Sequence, residues 1–302
     1  MREIAAFIRR LFRDLFIEVK DFELSVANGN NFNSGIEVEK LDYSPIKVGD
    51  TWGKDYEVAY FHAVGEIPKN WKNKEIAAVL NFKGEGLVFD AAGKAIHTLT
   101  DASVFDPDYK KELFCAVKKA KGGESLEYYI ECTANGLFGM SYDTDPNAKE
   151  KAPHGSYSST VQKAYFGVFN RSVWNLIYDL EVLYGLYAAL GEHDYRKRKL
   201  AAILTGAFTS YCNNPDNAEA ARTVLKEALE WRAAASAVNV TAIGHAHIDT
   251  AWLWPMSQTV KKCARTFSSM LSLMDEYEDF TFGASAACHY EFVKQEYPEL
   301  YE

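Results

Sequence analysis

The chain has 302 residues, 48% of them hydrophobic and 25% charged, with a net charge of −9 and five cysteines. That length accommodates two or three domains, and the acidic balance argues against a nucleic-acid binder, which needs a basic stripe to neutralise phosphates. Cys115, Cys132, Cys212, Cys263 and Cys288 form no CxxC pair, so they read as free, buried thiols of a reducing compartment rather than a disulfide framework or thiolate zinc site.

The opening stretch, MREIAAFIRRLFRDLF, places Ile4, Phe7, Ile8, Leu11, Phe12, Leu15 and Phe16 on one helical face, with arginines opposite. Arg9, Arg10 and Arg13 interrupt what a secretory signal would keep as an unbroken apolar run. A helix docked on the rest of the protein is expected, in preference to one lying on a membrane. No stretch approaches the length of a bilayer span, and a cytoplasmic protein is expected. Residues 1–45 form this helix and a lead-in.

Residues 46–170 read as an antiparallel β-sandwich. Short segments rich in Val, Ile, Phe and Tyr recur at 57–64, 76–82, 86–90, 112–117 and 125–134, separated by Gly, Pro and Asp turns. Over 171–237 the period becomes helical, through Val173, Leu176, Ile177, Leu180 and Leu183, then Leu200, Ile203 and Leu204, then Ala221, Val224, Leu225 and Ala228. These predict a three-helix connector without chemistry of its own, its last helix capped by Asp216. Residues 238–302 alternate strand, helix, strand, helix, which implies a parallel sheet. The fold class is therefore multidomain α+β, with two strand–helix units of a parallel sheet at the end.

The chemistry concentrates in GHAHIDTAWLWP, 244–255. Along a strand His245, His247 and Asp249 project to one side, and imidazole nitrogen with carboxylate oxygen suits zinc. Trp252 and Trp254 follow, where a sugar's apolar face can stack on an indole. Two other carboxylate groupings are set aside. Asp106 and Asp108 flank a proline in a turn; Asp143 and Asp145 begin a calcium-like loop that lacks its glycine and its final glutamate.

GHAHIDTAWLWP, continued by KKCARTFSSMLSLM and SAACHYEFVKQEYPELYE, resembles the signature of the α-mannosidases of glycoside hydrolase family 38. The likeness is specific over 240–302 and looser in TWGKDYEVAYFHAVGEIPKNW and ECTANGLFGM. It implies a retaining, exo-acting enzyme that removes α-linked mannose from oligosaccharides and holds one zinc ion in a (β/α)₇ barrel. It also implies that His247 and Asp249 bind the metal, that His245 stands outside the immediate ligands, and that Trp252 lines the sugar subsite. The family's nucleophile and acid lie further downstream, so no catalytic residue is expected within 1–302, and this stretch alone is expected to be inactive. Two parallel strands cannot enclose a barrel core, so 238–302 are expected to be partly disordered, rearranged or covered by a neighbour.

Two rival readings remain. An amidohydrolase-like enzyme would use both His245 and His247 as metal ligands. A carbohydrate-binding module would use Trp52, Tyr56, Tyr60 and Trp71 of the sandwich, although core packing is the plainer role for those rings. Assembly as a homo-oligomer is left open.

Overall fold

The structure is a computed structural model. It describes residues 1–29, 37–54, 56–101, 109–135, 158–233, 236–252 and 254–302. Asp106, Asp108, Asp143 and Asp145 lie outside these. The chain groups into two compact units: 1–19, 74–76 and 167–240 make one, and 20–73, 77–166 and 241–302 the other.

The first unit is helical. Helix α1 (Arg2–Leu11) buries Ile4, Phe7, Ile8 and Leu11, and the Phe7 ring meets Phe208 and Tyr211 at 5.1 and 5.2 Å. The amphipathic face is therefore docked within the protein, as its spacing predicts. Helices α2 (Arg171–Ala189), α3 (Tyr195–Tyr211) and α4 (Ala218–Leu229) follow. Asn170 starts α2 by accepting the Val173 N–H, and Asp194 starts α3 by accepting that of Arg196. The cap expected of Asp216 is absent. Asn214 instead closes a short 3₁₀ turn over Pro215–Asn217 by accepting the Asp216 N–H, and Asn217 precedes α4.

The strands in chain order are β1 (Phe16–Asp21), β2 (Glu23–Asn28), β3 (Ser44–Pro45), β4 (Thr51–Lys54), β5 (Val58–Glu66), β6 (Ile76–Asn81), β7 (Glu85–Asp90), β8 (Ala95–Leu99), β9 (Leu113–Val117), β10 (Ser125–Thr133), β11 (Ser158–Thr160) and β12 (Lys163–Phe169). A six-stranded sheet runs β3–β2–β5–β10–β7–β8 and is antiparallel throughout. A four-stranded sheet runs β1–β12–β6–β9, and β11 pairs with β4. The sheets thus recruit strands from the lead-in expected over 1–45. β1 exposes most of its length, which is why its sequence carries little strand signal.

Within the second unit an aromatic layer fills the sandwich. Phe166 meets Phe22 at 4.8 Å and Trp71 at 5.9 Å, while Tyr128 meets Phe22 and Phe114 at 6.0 and 5.3 Å. Gly65 faces this layer, because a Cβ there would lie 2.5 Å from the Phe166 ring. Tyr60 and Trp71 are buried in the core, and Trp52 donates its indole N–H to the Phe82 carbonyl at 2.9 Å. Trp52, Tyr60 and Trp71, considered for glycan binding, are thus engaged in packing or hydrogen bonding. Of the cysteines only Cys132 and Cys263 are buried; Cys115, Cys212 and Cys288 are exposed, contrary to the expectation of uniformly buried thiols.

The closing segment corrects the expected pattern. In place of a long strand through 238–249, only β13 (Gly244–His245) forms, paired in parallel with β14 (Phe282–Gly283). Val238, Val240 and Ile243 stay largely exposed. A parallel strand persists when neighbours and crossovers cover both faces, and β13 has a single partner among the described residues. The helices do form: α5 (Met256–Glu276), α6 (Ala287–Glu296) and α7 (Pro298–Tyr301). They pack against the sandwich, where Ile248, Val260, Cys263, Ala264, Val293 and Tyr297 share one apolar cluster with Leu87 of β7.

Candidate functional site

β13 ends at His245 and α5 begins at Met256, and the predicted cluster sits just after the strand. His247 Nε2 and Asp249 Oδ1 are 2.9 Å apart, on side chains 79% and 41% exposed. Spacing by two brings these groups together even though β13 ends at His245. His245 instead lies against Phe282, with ring centroids 6.5 Å apart. Trp252 projects into solvent, 55% exposed.

Two donors of one tetrahedral ion at about 2.0–2.2 Å would stand roughly 3.3–3.6 Å apart. His247 and Asp249 need to part by roughly half an ångström to reach that spacing, and their exposure leaves the rotamers free to do so. As a donor pair they fit zinc. A catalytic zinc takes three protein ligands, and among the described residues no three His, Cys, Asp or Glu side chains converge as a metal-binding group.

Sequence reading missed the groups behind this pair. Thr259, fully buried in the first turn of α5, donates its hydroxyl to the Thr250 carbonyl at 3.0 Å and accepts the Trp254 indole N–H at 2.9 Å. The Thr250 hydroxyl meets His289 Nε2 of α6 at 2.9 Å. Burial, with a smaller contribution from His247, pushes the His289 imidazole below its ordinary value. Lys262 lies over the Trp254 ring, 5.4 Å from its centroid. The contact between Thr250 and His289 joins residues 39 apart, and spacing carries no signal of it.

The face of α5 that meets the six-stranded sheet is charged. Tyr60, Glu131 and Leu87 stand in cross-strand register on β5, β10 and β7. Glu131, 1% exposed, accepts from the Tyr60 and Tyr297 hydroxyls at 3.1 and 3.0 Å. Lys261 Nζ lies 2.9 Å from Glu131 Oε1, a close ion pair without the alignment of a directed hydrogen bond. Alongside it, Glu85 accepts from Lys262 at 2.9 Å, Arg265 at 2.7 Å and the Asn135 amide at 2.8 Å. Further along α5, Ser272 donates to the Ile96 carbonyl at 2.9 Å, and Ser269 meets Thr98 and Lys111. Burial pushes the Lys111 ammonium down to about 8.

Burial alone would raise the Glu85 carboxyl, but Lys262 and Arg265 outweigh it and hold the group well below the usual carboxylate range. A depressed folded value stabilises the fold above the unfolded value and loses that contribution as pH falls. Stability measured by urea denaturation should therefore decline from about pH 4.5 downward, and Glu85→Gln should flatten that limb. An unchanged acid limb in the variant would contradict this assignment.

Comparison with known proteins adds to this geometry. Residues 20–164 match the α-mannosidase jelly roll domain, and residues 237–302 match the N-terminal domain of glycosyl hydrolases family 38. The chain is 32% identical over 266 residues to α-mannosidase G of Dictyostelium discoideum, covering 87% of this chain and 24% of that protein. It is 31% identical over 262 residues to α-mannosidase 2C1 of Mus musculus, covering 86% and 24%. The chain thus spans about a quarter of the length of these relatives. A solved β-glucuronidase from Ruminococcus gnavus is 12% identical with a TM-score of 0.31, over 50% of this chain and 28% of that one.

Proposed function

The chain belongs to the glycosyl hydrolases of family 38, and from that premise we propose that it is the N-terminal part of a zinc-dependent α-mannosidase. The substrates are α-linked mannosides, cleaved from an oligosaccharide end with retention of configuration. The observation that carries this reading is the pairing of His247 with Asp249, 2.9 Å apart inside the family-matched segment. An amidohydrolase-like site would need His245 beside His247, whereas His245 lies against Phe282.

His247 and Asp249 would hold the ion, and further ligands come from outside this pair. Bound there, zinc supplies Lewis-acid stabilisation of charge on sugar oxygens. The residues of the chain do the rest of the positioning. Asp249 offers its carboxylate oxygen beside the His247 nitrogen. Trp252 presents an exposed indole face to the apolar side of a pyranose ring. Thr250 and Trp254, tied to Thr259, fix the backbone on either side of that indole.

The test is hydrolysis by the full-length enzyme of aryl α-mannoside, aryl β-mannoside and aryl α-glucoside. The α-mannoside should be turned over faster by about a hundredfold or more, and proton NMR should show α-mannose as the first product. Equal rates on the three glycosides would remove the mannosidase reading. β-Mannose appearing first would remove retention alone. No helix among the described residues is long and apolar enough to cross a membrane.

A further inference from the structure

We propose that Thr259 and His289 are positioning residues that hold Thr250 and Trp254, the two ends of a short segment, in place independently of any metal, and so preset Asp249 and Trp252 for the ligand. The inference rests on the α-mannosidase reading for what the segment binds, but not for how it is held.

The observations come from both ends of that segment. At its start, Thr250 immediately follows Asp249, and both of its polar oxygens are engaged. Its carbonyl accepts from Thr259, and its hydroxyl meets His289 Nε2. At its end, the Trp254 indole donates to the same Thr259 hydroxyl. One buried oxygen, donating at 3.0 Å and accepting at 2.9 Å, thereby ties Thr250 to Trp254. Thr259 is fully buried and His289 is 7% exposed, whereas His247 and Trp252 are open to solvent. The holding groups are buried; the presenting groups face water. An exposed pair of metal donors on an irregular segment has little packing of its own to fix it, so its geometry must come from such supports. The two supports reach the segment from different helices, α5 and α6, which gives the position of Thr250 two independent constraints.

The test uses the 302-residue chain. Hydrogen–deuterium exchange is read separately over 246–256 and 262–276, together with zinc affinity by competition with a chelating dye and with the melting temperature. Thr259→Val removes the hydroxyl at constant shape, and His289→Phe removes the ring nitrogen. Thr259→Ser and His289→Gln retain a polar atom at each place. In Thr259→Val and His289→Phe, exchange over 246–256 should quicken about tenfold, because a buried carbonyl or hydroxyl loses its partner. Exchange over 262–276 should stay as in the wild type. Zinc affinity should fall about 10- to 100-fold in the same two variants, and the serine and glutamine variants should restore both properties.

Unchanged exchange over 246–256 in both variants overturns the proposal. A uniform rise across both regions with a lowered melting temperature also overturns it, because the residues would then serve the fold in general. If this chain, which supplies only two donors, binds no zinc while exchange responds as expected, the holding role stands, and the zinc arm is read on the full-length enzyme, where unchanged affinity in both variants would overturn the claim that Asp249 is preset.

Discussion

Replacing Glu131 with alanine is expected to destabilise the fold by about 3–5 kcal/mol, the cost of leaving a buried charge without its partner. Glu131 and Lys261 are each 1% exposed, and Tyr60 and Tyr297 also give their hydroxyls to this carboxylate. Burial first, and the carboxylate second, push both phenols well above their ordinary range, so both remain donors at neutral pH. Removing the carboxylate strands one ammonium and two hydroxyls in the contact between α5 and the sheet. Urea denaturation of the chain measures the loss. Lys261→Met should cost a similar amount, whereas adding Lys261→Met to Glu131→Leu should recover only the part due to the unpaired ammonium, because the Tyr60 and Tyr297 hydroxyls still lack this acceptor. Single variants within about 1 kcal/mol of the wild type would mean that the ion pair does not hold α5 to the sheet.

The second large effect is catalytic. In the full-length enzyme, Asp249→Ala or His247→Ala should lower kcat/KM on an aryl α-mannoside by about a thousandfold or more, since a bound ion contributes several kcal/mol to charge stabilisation. Both side chains are substantially exposed, so the melting temperature of the metal-free protein should be almost unmoved. His245→Ala should lower the rate by about tenfold to a hundredfold, as expected for a group outside the immediate ligands. A loss equal to that of His247→Ala would favour the amidohydrolase-like arrangement.

How much of this was legible in the sequence depends on how far apart the cooperating residues lie. Helix α1 could be read because Ile4, Phe7, Ile8 and Leu11 repeat at the helical period. Strands β5, β6, β7, β9 and β10 could be read because they are short, apolar and flanked by turn residues. β1 and β2 were hidden, since exposed charged residues on β1 dilute its pattern. His247 and Asp249 were legible from their spacing, although alternation alone also nominated His245. Glu131 could not be found that way. A glutamate within SLEYYIECTA reads as a solvated position, and only the arrival of Lys261 and Tyr297 from distant sequence makes it a buried acceptor. Thr250 and His289, 39 residues apart, are a similar case.

The most direct test is to strip the full-length enzyme of divalent ions and titrate zinc back while following hydrolysis of an aryl α-mannoside. Activity should fall by about a thousandfold on stripping and return in full at one equivalent of zinc. His247→Ala and Asp249→Ala should fail to recover at that ratio. Undiminished turnover by the stripped enzyme would contradict the account.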